Sequence, residues 1–299
     1  MGSRIVRRNR AKNRIKVVLL ILMLLVGILL TTYIVTALGE DREQTEEFTG
    51  MQKHIRKYAH ISIDDATQIF QDISFHSYDS IFDNQTMMSL QKLHEKYGLK
   101  VTLYVFGELD TFDLDSFPDF YKTEFQQNAD WLKFGFHSIT EQSPEETGLG
   151  TEEFLEGFEK VNREICRFAG QDSLAHVLRL HYWYATDPMV EELKERGVEG
   201  LLCGRATNEC YNLKEKQIKN LLLSRDGKLH TEISYYVTDI RLEKTDDVTG
   251  ELKKSRNDRI IVIFTHAWCF AENQDKLEEA LKWLTNAGYE FTFLEGMDD

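Results

Sequence analysis

Residues 260–265, Ile-Ile-Val-Ile-Phe-Thr, form an uncharged run between Arg259 and His266. A strand that is apolar on both faces is buried on both faces, which is the habit of parallel sheets. Parallel strands need crossover connections of a dozen or more residues, usually helical. The chain supplies them. Strand patterns at 58–63, 100–106, 133–137, 177–182, 199–203 and 233–242 alternate with helix patterns, the strongest at 152–168 and 272–287. Asp83 or Asn84 caps a helix that Gly98 closes, and Pro118 opens another. Residues 68–82, with Phe70, Phe75, Tyr78 and Phe82, read as a packed loop, and the charged stretch 243–259 as an exposed excursion. No Gly-rich phosphate loop follows the first strand, which counts against a nucleotide-binding sheet. The expected fold is therefore α/β, a distorted seven- or eight-stranded (β/α) barrel spanning residues 58–299.

Barrel chemistry sits at the C-terminal ends of the strands. In this chain those ends carry Asp64 and Asp65, His137, His181 and His266. An isolated Asp pair at a strand end is most simply a helix cap or an Asx-turn. Four strand ends that collect carboxylate and imidazole are a different matter. Side chains alternate along a strand, so Asp64 and Asp65 point different ways, one towards a metal and one free to act as a base. Carboxylate and imidazole hold zinc and similar divalent ions, which lower the pKa of bound water and polarise a carbonyl. A further His can protonate a departing amine. His54, His76, His94 and His230 lie in polar contexts and read as surface residues, and His60 and His176 as hydrogen-bonded structural ones.

The first 39 residues are of another kind. Seven cations precede an uncharged run at 17–38, and acidic residues follow it. As a helix that run would be about 33 Å long, enough to cross a hydrocarbon core of about 30 Å. The charge asymmetry puts residues 1–16 in the cytoplasm, makes 17–38 a signal anchor, longer than a cleaved signal peptide ending near Ala37–Gly39 would need, and 40–57 a stalk, and either reading exports the rest to the outer face of the cell membrane. With those seven cations set aside, 29 basic residues face 50 acidic ones, which argues against a nucleic-acid partner. Cys166, Cys203, Cys210 and Cys269 are too few and too irregular for a disulfide framework. They read as structural thiols, with a Cys203–Cys210 pair left open.

The same residues carry a family resemblance. Ile-Asp-Asp-Ala at 63–66, Phe-Gly-Phe-His-Ser at 134–138, Arg-Leu-His-Tyr-Trp at 179–183 and the apolar strand ending in Thr-His266 resemble, in order, the motifs of the polysaccharide deacetylase family (the NodB homology domain). The resemblance implies a Zn2+-dependent hydrolase that removes acetyl groups from an N-acetylated glycan. It implies Asp64 as base, Arg179 as its charge partner and His266 as acid, with Asp65 and His137 as metal ligands. The backbone N–H near Tyr182 would then face the developing oxyanion. Glu141 stands where the family has a second ligand His, and is either the third ligand or a solvated carboxylate. Ala66 replaces a Gly, and His181 stands near an expected Pro. His181, Tyr182 and Trp268 are placed along the substrate groove, with His181 the alternative third ligand. Asp239 is the loose candidate to orient His266. The departures leave room for a catalytically silent barrel that binds a glycan or protein, or for a hydrolase of another amide.

Overall fold

The computed structural model describes residues 56–297. The expected cytoplasmic segment, anchor and most of the stalk lie outside these residues. Among the described residues no helix is long and apolar enough to cross a membrane.

The strands that matter are β1 (Lys57–Asp64), β2 (Val101–Phe106), β3 (Leu132–Ser138), β4 (Val177–Leu178), β5 (Gly200–Cys203), β6 (Ser234–Val237), β7 (Ile240–Arg241) and β8 (Ile260–His266). The pairs β8–β1, β1–β2, β2–β3, β4–β5, β5–β6 and β7–β8 are all parallel. β6 and β7 are two halves of one segment: Thr238 N–H still reaches the Cys203 carbonyl, while Asp239 N–H reaches that of Val262. That segment joins the two sheets and carries the pairing round a ring of seven. The seam is between β3 and β4, which meet only through a bridge from Phe134 to Leu174. This is an α/β fold with parallel strands, and its pairing is consistent with the expected distorted barrel. β8 is buried along residues 260–265, as its composition demands.

Several expectations shift by a few residues, and one is overturned. Residues 67–76 form an α-helix, Thr67–His76, not a loop. Ile69, Phe70 and Ile73 give it a buried stripe, and the Thr67 hydroxyl ties its start to Phe106 N–H at 2.7 Å. The excursion after β7 holds a short helix, Val248–Lys254, with Val248 and Leu252 buried. The expected helix 84–97 is present as Gln85–Tyr97. Asn84 accepts from Met87 N–H at 3.1 Å, and Gly98 closes the helix at φ 70°.

Candidate active site and metal centre

Register brings the first two residues together. β1 and β8 run side by side so that Asp64 is the cross-strand partner of His266. On the other side, β2 and β3 slip register: Val105 pairs with Phe136 and Phe106 with Ser138. His137 is the extra residue of that bulge, and a bulge re-aims the side chain it leaves unpaired. Asp65 follows β1 with φ 55°, in the left-handed region that Asp tolerates better than most residues. Ala66, in the family's Gly position, has φ −76° and is fully buried, so a β-carbon costs nothing in backbone strain there. The fourth contributor is the turn His181–Trp183 after β4, where Tyr182 and Trp183 both have positive φ.

These turns bring three ligand atoms together: Asp65 Oδ1, His137 Nε2 and His181 Nδ1. The two imidazole nitrogens lie 3.1 Å apart, and the carboxylate oxygen is 3.3 Å from His137 and 4.0 Å from His181. The opposite ring nitrogens settle the tautomers. His137 Nδ1 is 2.6 Å from the Arg179 carbonyl, and His181 Nε2 is 3.0 Å from the Glu141 carbonyl. A carbonyl only accepts, so each of those nitrogens carries the proton and donates it. The facing nitrogens are left with lone pairs, and Asp65 Oδ1 is buried without a hydrogen-bond partner. Ligand atoms this close need positive charge between them, supplied by a proton on His137 Nε2 shared with Asp65 or, in its place, by a metal ion. Tetrahedral ligands at about 2.0–2.1 Å from zinc sit about 3.3 Å from one another, which two of the three spacings here approach while the Asp65–His181 distance of 4.0 Å is wider.

The electrostatics agree. Burial, reinforced by the His137 charge, lowers the His181 imidazole to about 4, so it is neutral and its Nδ1 lone pair is free at neutral pH. Burial works the other way on Asp65, but His137 beside it, with the charges of His266 and His181, holds its carboxyl below the usual value. Burial would also depress His137, yet Asp65 and Asp64 keep it above the ordinary histidine value, as expected where positive charge is wanted.

Of the two places left open for it, Glu141 takes the solvated one and not the ligand position. It sits exposed in the bend before the helix Pro144–Thr147 and offers His181 its backbone carbonyl; its carboxylate is not in the cluster. The physical reason is that residues 139–143 are not helical, so His137 and Glu141 share no helical turn. His181, expected mainly along the groove, occupies the third position instead.

Asp64 is buried beside Arg179, with Oδ2 and Nε 3.3 Å apart. Burial raises the Asp64 carboxyl above its usual value while the Arg179 charge pulls it down. Its Oδ1, and Nε and one terminal nitrogen of Arg179, have no hydrogen-bond partner. The guanidinium is otherwise fixed by the Thr238 hydroxyl at 2.9 Å and by the Phe264 ring 4.0 Å below.

His266 Nδ1 donates to Glu243 Oε1 at 2.6 Å. Asp239 is not its partner: that carboxylate accepts instead from Val262 N–H at 2.9 Å and from Arg205 at 2.8 Å. Burial opposes the charge on Glu243, but hydrogen bonds from His266 and Arg241 hold its carboxyl at about 2. The sequence had a signal for it, since Glu243 follows the strand-like stretch 233–242 and other site residues likewise stand at strand ends.

Trp268 is 57% exposed, and its ring lies 5.3 Å from His266. Its indole N–H donates to Asp65 Oδ2 at 3.1 Å, which leaves Oδ1 as the single ligand oxygen. It therefore does more than line the groove. Trp268→Phe keeps the ring and loses the donor, and metal affinity measured by competition with a chelator is expected to fall about tenfold. Tyr182 is 56% exposed at the rim. Together these residues enclose a cavity of about 270 Å³.

No family model matches the sequence, and no curated protein matches it. Among solved structures, a 4-alpha-glucanotransferase from Thermococcus litoralis is similar at 14% identity and TM-score 0.51, over 79% of this chain and 37% of that one. A CE4 esterase from Streptococcus mutans is similar at 12% identity and TM-score 0.44, over 79% and 85%. A family 4 carbohydrate esterase from Bacillus anthracis is similar at 15% identity and TM-score 0.41, over 79% and 80%. At such identities a likeness concerns the fold alone.

Proposed function

We propose that this domain is a metal-dependent hydrolase that removes N-acetyl groups from a glycan outside the cell, anchored to the membrane by residues 17–38. The observation that carries the proposal is the convergence of Asp65 Oδ1, His137 Nε2 and His181 Nδ1 beside Asp64 and His266. Such a donor set suits zinc, with a place left open for water. A divalent ion held there would make water nucleophilic near neutral pH and polarise the amide carbonyl. The remaining work falls to the chain's own groups. Asp64 takes the proton of the attacking water, and Arg179 favours its ionised form against the cost of burial. His266 gives a proton to the departing amine from Nε2, because Nδ1 is held by Glu243. Tyr182 and Trp268 offer aromatic faces at the rim to a sugar ring. The ordered motif resemblance favours an acetamide over other amides.

The direct test is acetate release from an N-acetylglucosamine oligomer by the zinc-loaded domain. A domain that neither releases acetate nor binds a divalent ion would sink the proposal. Zinc binding with turnover of a peptide amide alone would move the substrate, and zinc binding without any turnover would favour a silent glycan-binding barrel.

Glu243 gives a sharper check. Glu243→Gln keeps an acceptor for His266 but removes the charge that stabilises the imidazolium. The expected result is a kcat lower by about 10²-fold with KM unchanged. The same residue sets a pH window. Its folded value of about 2 lies below the usual 4.5, so its stabilisation is present above pH 4.5 and is lost as pH falls towards 2. Urea midpoints across that window should fall less steeply in the variant than in the wild type.

A further inference from the structure

The loop 204–209 lies outside the machinery above, yet it carries Arg205, which donates to the Thr238 carbonyl at 3.1 Å and to Asp239 at 2.8 Å. Thr238 in turn holds the Arg179 guanidinium. The loop closes on itself: Gly204 N–H reaches the Glu209 carbonyl at 2.8 Å, and Glu209 N–H turns back to Ala206 at 3.0 Å. Cys203 and Cys210 flank that closure, one step outside the bonded residues. Where two chain segments face each other in this antiparallel way, the step next to a bonded pair brings α-carbons to about 4.5–5.5 Å. That lies within the roughly 4.4–6.8 Å a disulfide spans. Both side chains are buried and free, and Cys210 Sγ donates to the Ala206 carbonyl at 3.5 Å. The other two cysteines are engaged elsewhere, Cys166 with Gln171 at 3.3 Å and Cys269 with the His266 carbonyl at 3.6 Å.

We propose that Cys203 and Cys210 form a disulfide that clamps the loop carrying Arg205 against the segment behind Arg179. With glutathione disulfide as oxidant, the thiolate of one cysteine displaces one glutathione thiolate and forms a mixed disulfide. The other cysteine then displaces the second, so one S–S bond breaks, one forms, and two electrons pass to two glutathione thiols. Both sulfurs are buried in the folded domain, so the exchange takes place while the exported chain is folding.

The experiment uses the full chain carrying Cys166→Ser and Cys269→Ser, which leaves only this pair. The chain is refolded in a glutathione redox mixture, quenched, denatured and titrated for thiols. The expected result is no free thiol and a linked peptide joining residues 203 and 210. Two free thiols per chain would overturn the proposal. In the wild type, linkage of either residue to Cys166 or Cys269 would also overturn it. The oxidised form should melt about 5 °C above the reduced one. A bond that forms without raising the melting temperature would refute the clamp. Neither readout depends on catalysis, so failure here is distinct from failure of the proposed hydrolase.

Discussion

Asp64→Asn is expected to lower acetate release by about 10³-fold while the metal stays bound. The substitution keeps size and an acceptor oxygen but cannot take a proton. It also leaves Arg179, itself buried, without its counter-charge. Breaking a buried ion pair is costly, so a lower melting temperature should accompany the lost activity. The two effects separate cleanly, because metal content per folded chain reports neither. One zinc per chain in a folded, inactive variant assigns the residue to proton transfer. Loss of zinc from the variant would instead make Asp64 a ligand and overturn the assignment.

The second large effect concerns the third ligand. His181→Ala removes a lone pair 3.1 Å from His137 Nε2 and should weaken zinc binding by more than about 100-fold, with acetate release falling in step. Glu141→Ala removes only a carboxylate on an exposed bend and keeps the carbonyl that orients His181, so affinity should stay within about twofold. Isothermal titration with zinc on both variants decides between them. If Glu141→Ala lost the metal and His181→Ala kept it, the donor set described above would be wrong.

What the sequence made legible follows from periodicity. Asp64 and His137 end strands of plain apolar alternation and His266 ends an unbroken apolar run, so their common location could be read without a structure. Arg179 is picked out only by the motif resemblance, since it does not end the strand pattern at 177–182. His181 could not be placed, because its position depends on two consecutive left-handed residues, Tyr182 and Trp183, and no strand or helix period encodes such a turn. Glu141 stays open between ligand and solvated carboxylate because a four-residue spacing from His137 decides nothing where the helix begins only at Pro144. Glu243 was passed over because the charged run after it dominates the local composition, although it follows a strand-like stretch. The helix Thr67–His76 was hidden by its aromatic-rich tail, where Phe75 is exposed and Phe70 is not.

The left-handed backbone at Asp65 limits what evolution can do with this site. At φ 55° the position admits Gly, Asn and Asp readily and other residues only with strain. Gly offers no side chain, and Asn no negative charge to balance a cation. The conformational filter and the chemical filter therefore overlap in one amino acid. A lineage that drifts away from the chemistry has two unstrained exits, Asn or Gly, and either would leave the domain folded. Position 65, read alone in any related chain, is thus an economical indicator of whether a metal centre of the proposed kind could still form there.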